Sequence, residues 1–549
     1  MAPTSLPDRA PAPDSWRYAL ALLVFVAALV PRLMHRDLFP TSDEDSWMRR
    51  AGGFTFGLVT GQLGRTYQNG HPGVTTMWIA MLAQGPSGAL QFADRVSGAR
   101  YVGRVPGYLD GLARARVGFA VLSAAALAVA ALVLAHVLGA WPGLVGGLAL
   151  ALDPFSVANG QLVHVDGPLA AFCLLAVLAA ICRWSAGGGR PALVACGACT
   201  GLALLSKSPA IFLLGFVPLL AVLPLFSGRL GSQSTLVGVA RTLGVWLAIT
   251  GVTYVLCWPA LWALGPSEVF SRIVAFTRET GGEPDEVGSF FLGTVSGDPG
   301  PLFYPVAVAF RLSLFTSLGL MMFAIWAVWR LVRRGADDAG PLPSRVIGVI
   351  AGLLLFVLGF GLMMTLGPKK FDRYLLPIFG PLTILATIGW WWISSHVVGG
   401  VRRAAFAAAL AAVMAAPLAV VQPYTLSYFN PLLGGGSAAQ RLVMVGNGEG
   451  LDQAAAWLRS QPDAGDLRVS AHSYDILAAL ISSDGEPLRE GLPSDADYIV
   501  TYGRRIQMRR WSDTLERYFQ THPPVFTVWI NGIEYVRIHP GPHLGTAAR

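Results

Sequence analysis

Long uninterrupted apolar runs dominate this chain, separated by short polar breaks; only the C-terminal stretch departs from that rhythm. A bilayer-crossing helix needs about 20 mostly apolar residues. Eleven stretches qualify: 16–34, 115–137, 141–158, 166–185, 191–206, 209–227, 241–263, 304–330, 345–367, 374–395 and 403–422. The fifth is short and ends at Ser206-Lys207-Ser208-Pro209, so a full crossing is not demanded of it.

Basic residues set the direction of the spans. Arg183, Arg190, Arg229, Arg241, Arg330, Arg333, Arg334, Arg345, Arg402 and Arg403 fall in alternate loops, where Asp337 and Asp338 are the acidic exceptions. Cytoplasmic loops carry the excess of Lys and Arg. That places the N-terminus inside and, with an odd number of spans, the C-terminus outside. The chain then divides into a disordered N-terminus 1–15, with four prolines among its polar residues, a transmembrane region 16–422, and an external domain 423–549. Outer loops cover 37–114 and 264–303. The second holds Glu283, Asp285, Glu286 and Asp298, and an amphipathic helix over Glu268–Thr280 that could act as a lid.

The tail reads differently. Gly450–Arg459, Ser473–Ile481 and Arg509–Gln520 predict helices; Leu467–Ala471 and Asp497–Tyr502 predict strands. Val525–Ile530 and Ile533–Ile538 flank Asn531-Gly532, a strong hairpin signal. The expected fold is a polytopic α-helical membrane protein of about 11 transmembrane helices with a small C-terminal extracytoplasmic α/β domain.

Composition agrees. Of 549 residues 54% are hydrophobic and 13% charged, against about 25% charged in soluble domains. The net charge of +8 suggests no nucleic-acid partner, because the bases sit in short loops and form no patch. Cys173, Cys182, Cys196, Cys199 and Cys257 all lie in or beside apolar runs, so no disulfide framework is expected.

Against this background a few polar residues stand out. Asp43-Glu44-Asp45 follows the first span, and ionisable groups at a bilayer are costly and usually functional. Thr41-x-x-Glu44 has capping-box spacing and Asp45 stands four residues before Arg49, so part of the cluster has a plain structural reading. Asp43 and Glu44 could instead take a proton from an attacking group or hold a divalent cation against a phosphate. His71-Pro72-Gly73 opens the apolar run Val74–Leu82, whose first amides would suit an anion. His164 and Asp166 lie between the third and fourth spans, where Asp166 could cap a helix or, with His164 and Glu44, contribute to a metal site.

Only three lysines occur among 40 Lys and Arg residues: Lys207, Lys369 and Lys370, all at outer ends of spans, with Arg373 beside the last two. The orientation rule opposes positive charge there. Lys370 has the ready explanation of snorkelling to lipid phosphates. Lys207, Lys369 and Arg373 suit a ligand phosphate.

Taken in order, these segments resemble a known group. Asp43-Glu44 followed by His71-Pro72-Gly73-Val74 resembles the protein O-mannosyltransferases, which carry an Asp-Glu pair and a His-Pro-Pro-Leu segment; Leu152-Asp153-Pro154 through His164-Val165-Asp166-Gly167-Pro168 resembles their third-to-fourth span turn. Gly201-Leu202-Ala203-Leu204-Leu205-Ser206-Lys207 is similar to a segment of the lipid A aminoarabinose transferases, and Arg373-Tyr374-Leu375-Leu376-Pro377 to one in both families. The resemblance is to the GT-C superfamily and covers residues 16–395. Gly73 and Ser208 depart from the family pattern.

The resemblance implies transfer of a sugar from a polyprenyl-phosphate donor to a protein, lipid or glycan acceptor outside the plasma (inner) membrane, with inversion. It assigns the catalytic carboxylate to Asp43, with Glu44 its neighbour, and the departing lipid phosphate to Lys207, Lys369 and Arg373. The residues themselves add His71 as a further phosphate contact, at its helix start, and a divalent metal ion at Glu44, His164 and Asp166 as the one candidate cofactor. A transporter or lipid-linked-sugar flippase is the rival class, but such proteins build midplane sites from internal repeats, and no repeat is evident here.

Overall fold

The computed structural model describes residues 15–226, 236–282, 288–332, 342–489, 491–509 and 511–547. Expectations attached to 1–14, Arg229, Glu283, Asp285, Glu286, Arg333, Arg334, Asp337 and Asp338 fall outside the described residues.

The protein is a polytopic helical membrane protein. Eight helices among the described residues are long and apolar enough to cross a bilayer, or nine if a bent pair counts as one span. Every one of the eleven expected stretches is helical over its described residues, but four are broken or short, and each has a local cause. The stretch 141–158 splits into Ala140–Leu152 and Pro154–Gly160, bent by 61°. Asp153 breaks it by accepting a hydrogen bond from the Ser156 amide at 2.9 Å, with Pro154 opening the second piece. The apolar helices Arg190–Ser206 and Ser208–Leu223 are short, because Pro209 cannot continue the first and Lys207 is left extended between them. The stretch 304–330 also breaks, into Phe303–Arg311 and Leu314–Val332, where the Ser313 hydroxyl accepts from the Thr316 amide at 3.2 Å. These breaks leave Lys207 and Arg311 at turns, free to reach sideways.

Helix contacts in the membrane region rely on aromatic clusters and close backbones. Phe212, Phe216, Phe356 and Phe360 pack ring to ring. Where Leu314–Val332 meets Leu376–His396, a Cβ on Gly389 would lie 2.2 Å from the Gly319 carbonyl oxygen, so only glycine lets the two backbones touch.

Seven strands occur among the described residues: β1 Ser289–Phe291, β2 Thr294–Ser296, β3 Arg468–Ala471, β4 Asp484–Pro487, β5 Tyr498–Tyr502, β6 Phe526–Ile530 and β7 Ile533–Pro540. β1 and β2 form a hairpin in the 264–303 segment, after the helix Pro266–Gly282. The other five make one mixed sheet in the order β4-β3-β5-β7-β6. The expected hairpin is present, with Asn531 and Gly532 both at positive φ. Two expected tail helices are shorter, at Tyr474–Leu477 and Asp513–Thr521. Strand β4 was not expected. Its Asp-Gly-Glu-Pro sequence has none of the usual strand residues, and it survives as an edge strand, where proline is tolerated.

The tail is fastened to the segment that follows the first span. The Arg104 guanidinium donates to the Tyr474 hydroxyl at 2.8 Å and to the Ile481 carbonyl at 2.9 Å. The Ser42 hydroxyl donates to Asn447 Oδ1 at 2.7 Å, one residue before Asp43. The sheet therefore stands over the acidic cluster.

Candidate active site

Asp43 precedes the helix Glu44–Val59, and its side chain makes no capping bond to it. It turns instead to Arg373, whose Nη2 donates to Asp43 Oδ2 at 2.9 Å. His164 Nε2 lies 3.5 Å from the same oxygen, and His164 Nδ1 lies 3.2 Å from Asp166 Oδ2. Asp166 also meets Lys207 Nζ at 2.7 Å and Arg373 Nε at 3.4 Å. Asp43, His164, Asp166, Lys207 and Arg373 thus form one connected set from five distant segments. Asp166 opens the helix Asp166–Ser185 without capping it, contrary to the structural role expected for it.

The set is unevenly buried. Asp166 is 1% exposed and Lys207 5%, while Asp43 is 40% exposed and opens the set to solvent. Lys207 Nζ also sits 3.8 Å from the centre of the Tyr374 ring, which holds the cation from a second side. Burial opposes charge on Asp43, but Arg373 and His164 outweigh it and keep the carboxyl well below the usual carboxylate range. Burial likewise disfavours the His164 cation, yet Asp166 and Asp43 raise its pKa above the usual value.

His71 stands beside the set. Its ring meets Phe276 of the loop helix edge-on at 4.8 Å, and its Nδ1 is buried without a hydrogen-bond partner. Burial and the nearby Lys207 push its pKa down to about 3, so it is neutral. The turn that carries it docks on the lysine-bearing helix end: the Gly73 amide donates to the Ser206 carbonyl at 3.2 Å, and Thr75 and Ser206 hydroxyls meet at 2.7 Å. Pro72 lies ahead of the helix, not at its first position, and the Gly73 amide is already bonded to protein. Gly73 has φ +57°, and an added Cβ would strike the Trp47 ring at 2.2 Å. Proline, with φ fixed near about −65°, cannot occupy this position, which explains the departure from the His-Pro-Pro pattern.

Glu44 does not join the set. It is fully buried, with Arg116 Nε donating to Oε1 at 2.8 Å and Arg116 Nη2 bonded to Oε2. The Val163 amide, at 3.0 Å, and the Thr41 amide, at 2.9 Å, complete its shell. Burial raises its pKa, and Arg116 more than reverses that, holding it low. Both Glu44 oxygens are thus engaged by Arg116, two backbone amides and the Thr41 hydroxyl, and the side chain has no solvent exposure. Among the described residues no group of three His, Cys, Asp or Glu side chains is placed to hold a metal, so the Glu44, His164 and Asp166 set does not form.

Three further expectations change. Arg49 pairs with Asp94 at 2.5 Å and not with Asp45. Lys370, 2% exposed, pairs with Asp298 of the second outer loop at 2.6 Å, so it does not snorkel to lipid. Lys369 is half-buried and has no ion pair among the described residues. Sequence reasoning missed Arg116 and Arg311. Arg311 Nε donates to Asp372 Oδ2 at 2.7 Å and its Nη1 to the Leu426 and Tyr428 carbonyls at 2.8 and 2.7 Å, fixing the turn that carries Arg373. For Arg311, a lone arginine inside an apolar run was the available signal.

Comparison with known proteins adds a family. Residues 110–258 match the family model of the dolichyl-phosphate-mannose-protein mannosyltransferases. The match holds Arg116, His164, Asp166 and Lys207 and bears out, over the stretch it covers, the resemblance to these membrane glycosyltransferases. Similar solved structures include the apo oligosaccharyltransferase of Archaeoglobus fulgidus (11% identity, TM-score 0.49, 91% of this chain and 72% of that one). Apo ArnT from Cupriavidus metallidurans is 14% identical, with TM-score 0.49, over 95% of this chain and 98% of its own. The S. cerevisiae protein O-mannosyltransferase Pmt1-Pmt2 complex is 19% identical, with TM-score 0.36, over 51% of this chain and 40% of its own. Among curated proteins, none matches this chain.

Proposed function

We propose that the protein is a membrane glycosyltransferase that moves a sugar from a polyprenyl-phosphate carrier to an acceptor on the extracytoplasmic face. The observation that carries the reading is the connected set itself. A half-open carboxylate, Asp43, shares Arg373 with the buried Asp166–Lys207 pair. In the reaction an acceptor hydroxyl oxygen bonds to the anomeric carbon as the bond from that carbon to the phosphate oxygen breaks. The proton passes to Asp43, and polyprenyl phosphate leaves with the electron pair. Attack from the face opposite the leaving group inverts the centre.

Arg373 is the pivot of this proposal. Bound to Asp43, it makes that carboxylate a poor base. A donor phosphate competes for the same guanidinium, and drawing Arg373 away raises the proton affinity of Asp43 when the acceptor must be deprotonated. Lys207 and Arg373 then face the charge that develops on the leaving phosphate. Lys369 and neutral His71 line the approach. Glu44 is structural: with Arg116, which also bonds the Arg36 and Phe39 carbonyls, it holds the segment leading to Asp43. The acids present do not fit a divalent ion in this arrangement, because each is already matched by a basic side chain.

The layout follows. The N-terminus is cytoplasmic, 16–422 form the catalytic membrane region of a plasma (inner) membrane protein, and 423–549 lie outside with the site. A transporter or flippase is not favoured, since the charged set gathers at helix ends on one face and not at the midplane. The test uses the purified chain in lipid nanodiscs with a panel of polyprenyl-phosphate sugars. Wild-type protein is expected to consume one of them. Asp43→Asn is expected to insert normally and lose turnover by about a thousandfold; full turnover in that variant would overturn the assignment.

A further inference from the structure

A cavity of about 740 Å³ lies between the β1–β2 hairpin and one face of the C-terminal sheet, and none of the charged set lines it. Gly293 and Val295 bound it on the hairpin side, and Thr501 on β5 with Arg537 and His539 on β7 bound it on the sheet side. It is open to solvent on the side of Arg509, Glu516 and Gln520. It falls within the range of ligand sites, about 300–1,000 Å³.

Its lining has a particular chemistry. Trp511 and Phe519 give adjoining aromatic surfaces, ring centres 5.4 Å apart, and Phe519 rests on His539 at 4.4 Å. Around them stand flat polar groups: Gln520, Glu516 and Arg509 at the exposed rim, and Arg537. Arg537 is held by two 2.7 Å bonds to Glu534, which fixes the plane of its guanidinium. Gln507 is committed elsewhere, bonding the Gln440 and Val443 carbonyls and the Val445 amide, so the wall it builds is rigid. Both charge signs are represented, which suits neither a strongly anionic nor a strongly cationic ligand.

We propose that this cavity binds a saccharide; resting on the glycosyltransferase reading above, it makes the acceptor a glycan-bearing molecule that is held by the C-terminal domain while its end reaches Asp43. A sugar ring offers an apolar face of C–H groups and a rim of hydroxyls that both donate and accept. Aromatic surfaces ringed by amides, a carboxylate and guanidinium groups match both features. An extended peptide fits less well. Peptides commonly add to an exposed strand edge, and this cavity lies over β5 and β7, both of them paired on each side within the sheet.

The experiment is direct binding and needs no donor. The full-length protein in nanodiscs is titrated with short linear mannose, galactose and arabinose oligosaccharides and with Ser/Thr-rich peptides. Saturation-transfer NMR and tryptophan fluorescence give the readout. At least one oligosaccharide is expected to bind, with Trp511→Ala and Glu516→Gln each weakening it about tenfold or more. Glu516 is exposed, so its variant folds even if Trp511→Ala does not. Binding of peptides alone, no binding at all, or oligosaccharide binding indifferent to Glu516→Gln overturns the proposal. If Asp43→Asn still transfers sugar, the reaction assigned above fails while the saccharide site stands.

Discussion

Two adjacent carboxylates have opposite surroundings. Glu44 is enclosed: Arg116, two amides and a hydroxyl satisfy both oxygens, and no solvent reaches it. Asp43, one residue earlier, is half-open: it meets Arg373 at 2.9 Å and His164 at 3.5 Å, and beside its set the buried His71 Nδ1 has no hydrogen-bond partner. A carboxylate sealed in by its partners holds structure; one that is paired yet open to solvent can exchange a partner for a ligand. The contrast separates a strut from a site more reliably than the acidity of the cluster as a whole.

Four variants break or sharpen that contrast. The largest effect is expected for Asp43→Asn, whose loss of turnover leaves thermal stability in detergent unchanged. Glu44→Gln should do the reverse. It leaves Arg116 buried beside a neutral partner and costs about 3–5 kcal/mol of stability, read as a fall in melting temperature and yield, while turnover per folded molecule is kept. Equal loss of turnover in folded Glu44→Gln would place it in the chemistry after all.

Arg373→Ala is expected next. The donor KM rises, and the acid limb of the pH–rate profile moves upward, because activity needs ionised Asp43 and removing Arg373 raises its pKa. An unmoved acid limb would show that Arg373 does not tune Asp43. The smallest effect concerns Asp475 of the C-terminal domain. Burial, with the charges of Asp45 and Asp43, pushes its carboxyl up to about 6. The folded state then binds more protons than the unfolded one between about pH 4 and the raised value, so stability falls as pH rises through that window. Asp475→Asn should flatten the fall, measured as melting temperature against pH; an unchanged slope would separate the tail from the acidic cluster.

Much of the site was legible as anomaly. Three lysines at outer span ends, and acids at a membrane boundary, have no cheap explanation in a greasy chain, and Asp43, Asp166, Lys207 and Arg373 were found that way. Lys369 was found by the same reasoning, yet no ion pair ties it to the set among the described residues. Lys370 shows the limit more plainly: its partner Asp298 is 72 residues away, and nothing local distinguishes it from Lys369. Arg116 escaped notice because, beside Asp110 and Arg114 near the start of its helix, it reads as ordinary flanking charge until Glu44, also 72 residues away, is known to face it.

The sequence by itself determined where helices run and where they stop, because apolar length, proline and small capping residues act within a few residues of themselves. It also determined which stretches carry scarce charge. Only the tertiary structure decided which carboxylate was enclosed and which left open, why Gly73 must stand where a proline is usual, and that a saccharide-sized cavity lies over the tail sheet. Those outcomes depend on Coulomb and packing contacts between segments as far apart as Asp43 and Arg373, separated by 330 residues. No pattern along the chain encodes such a pairing until folding brings the two ends of it together.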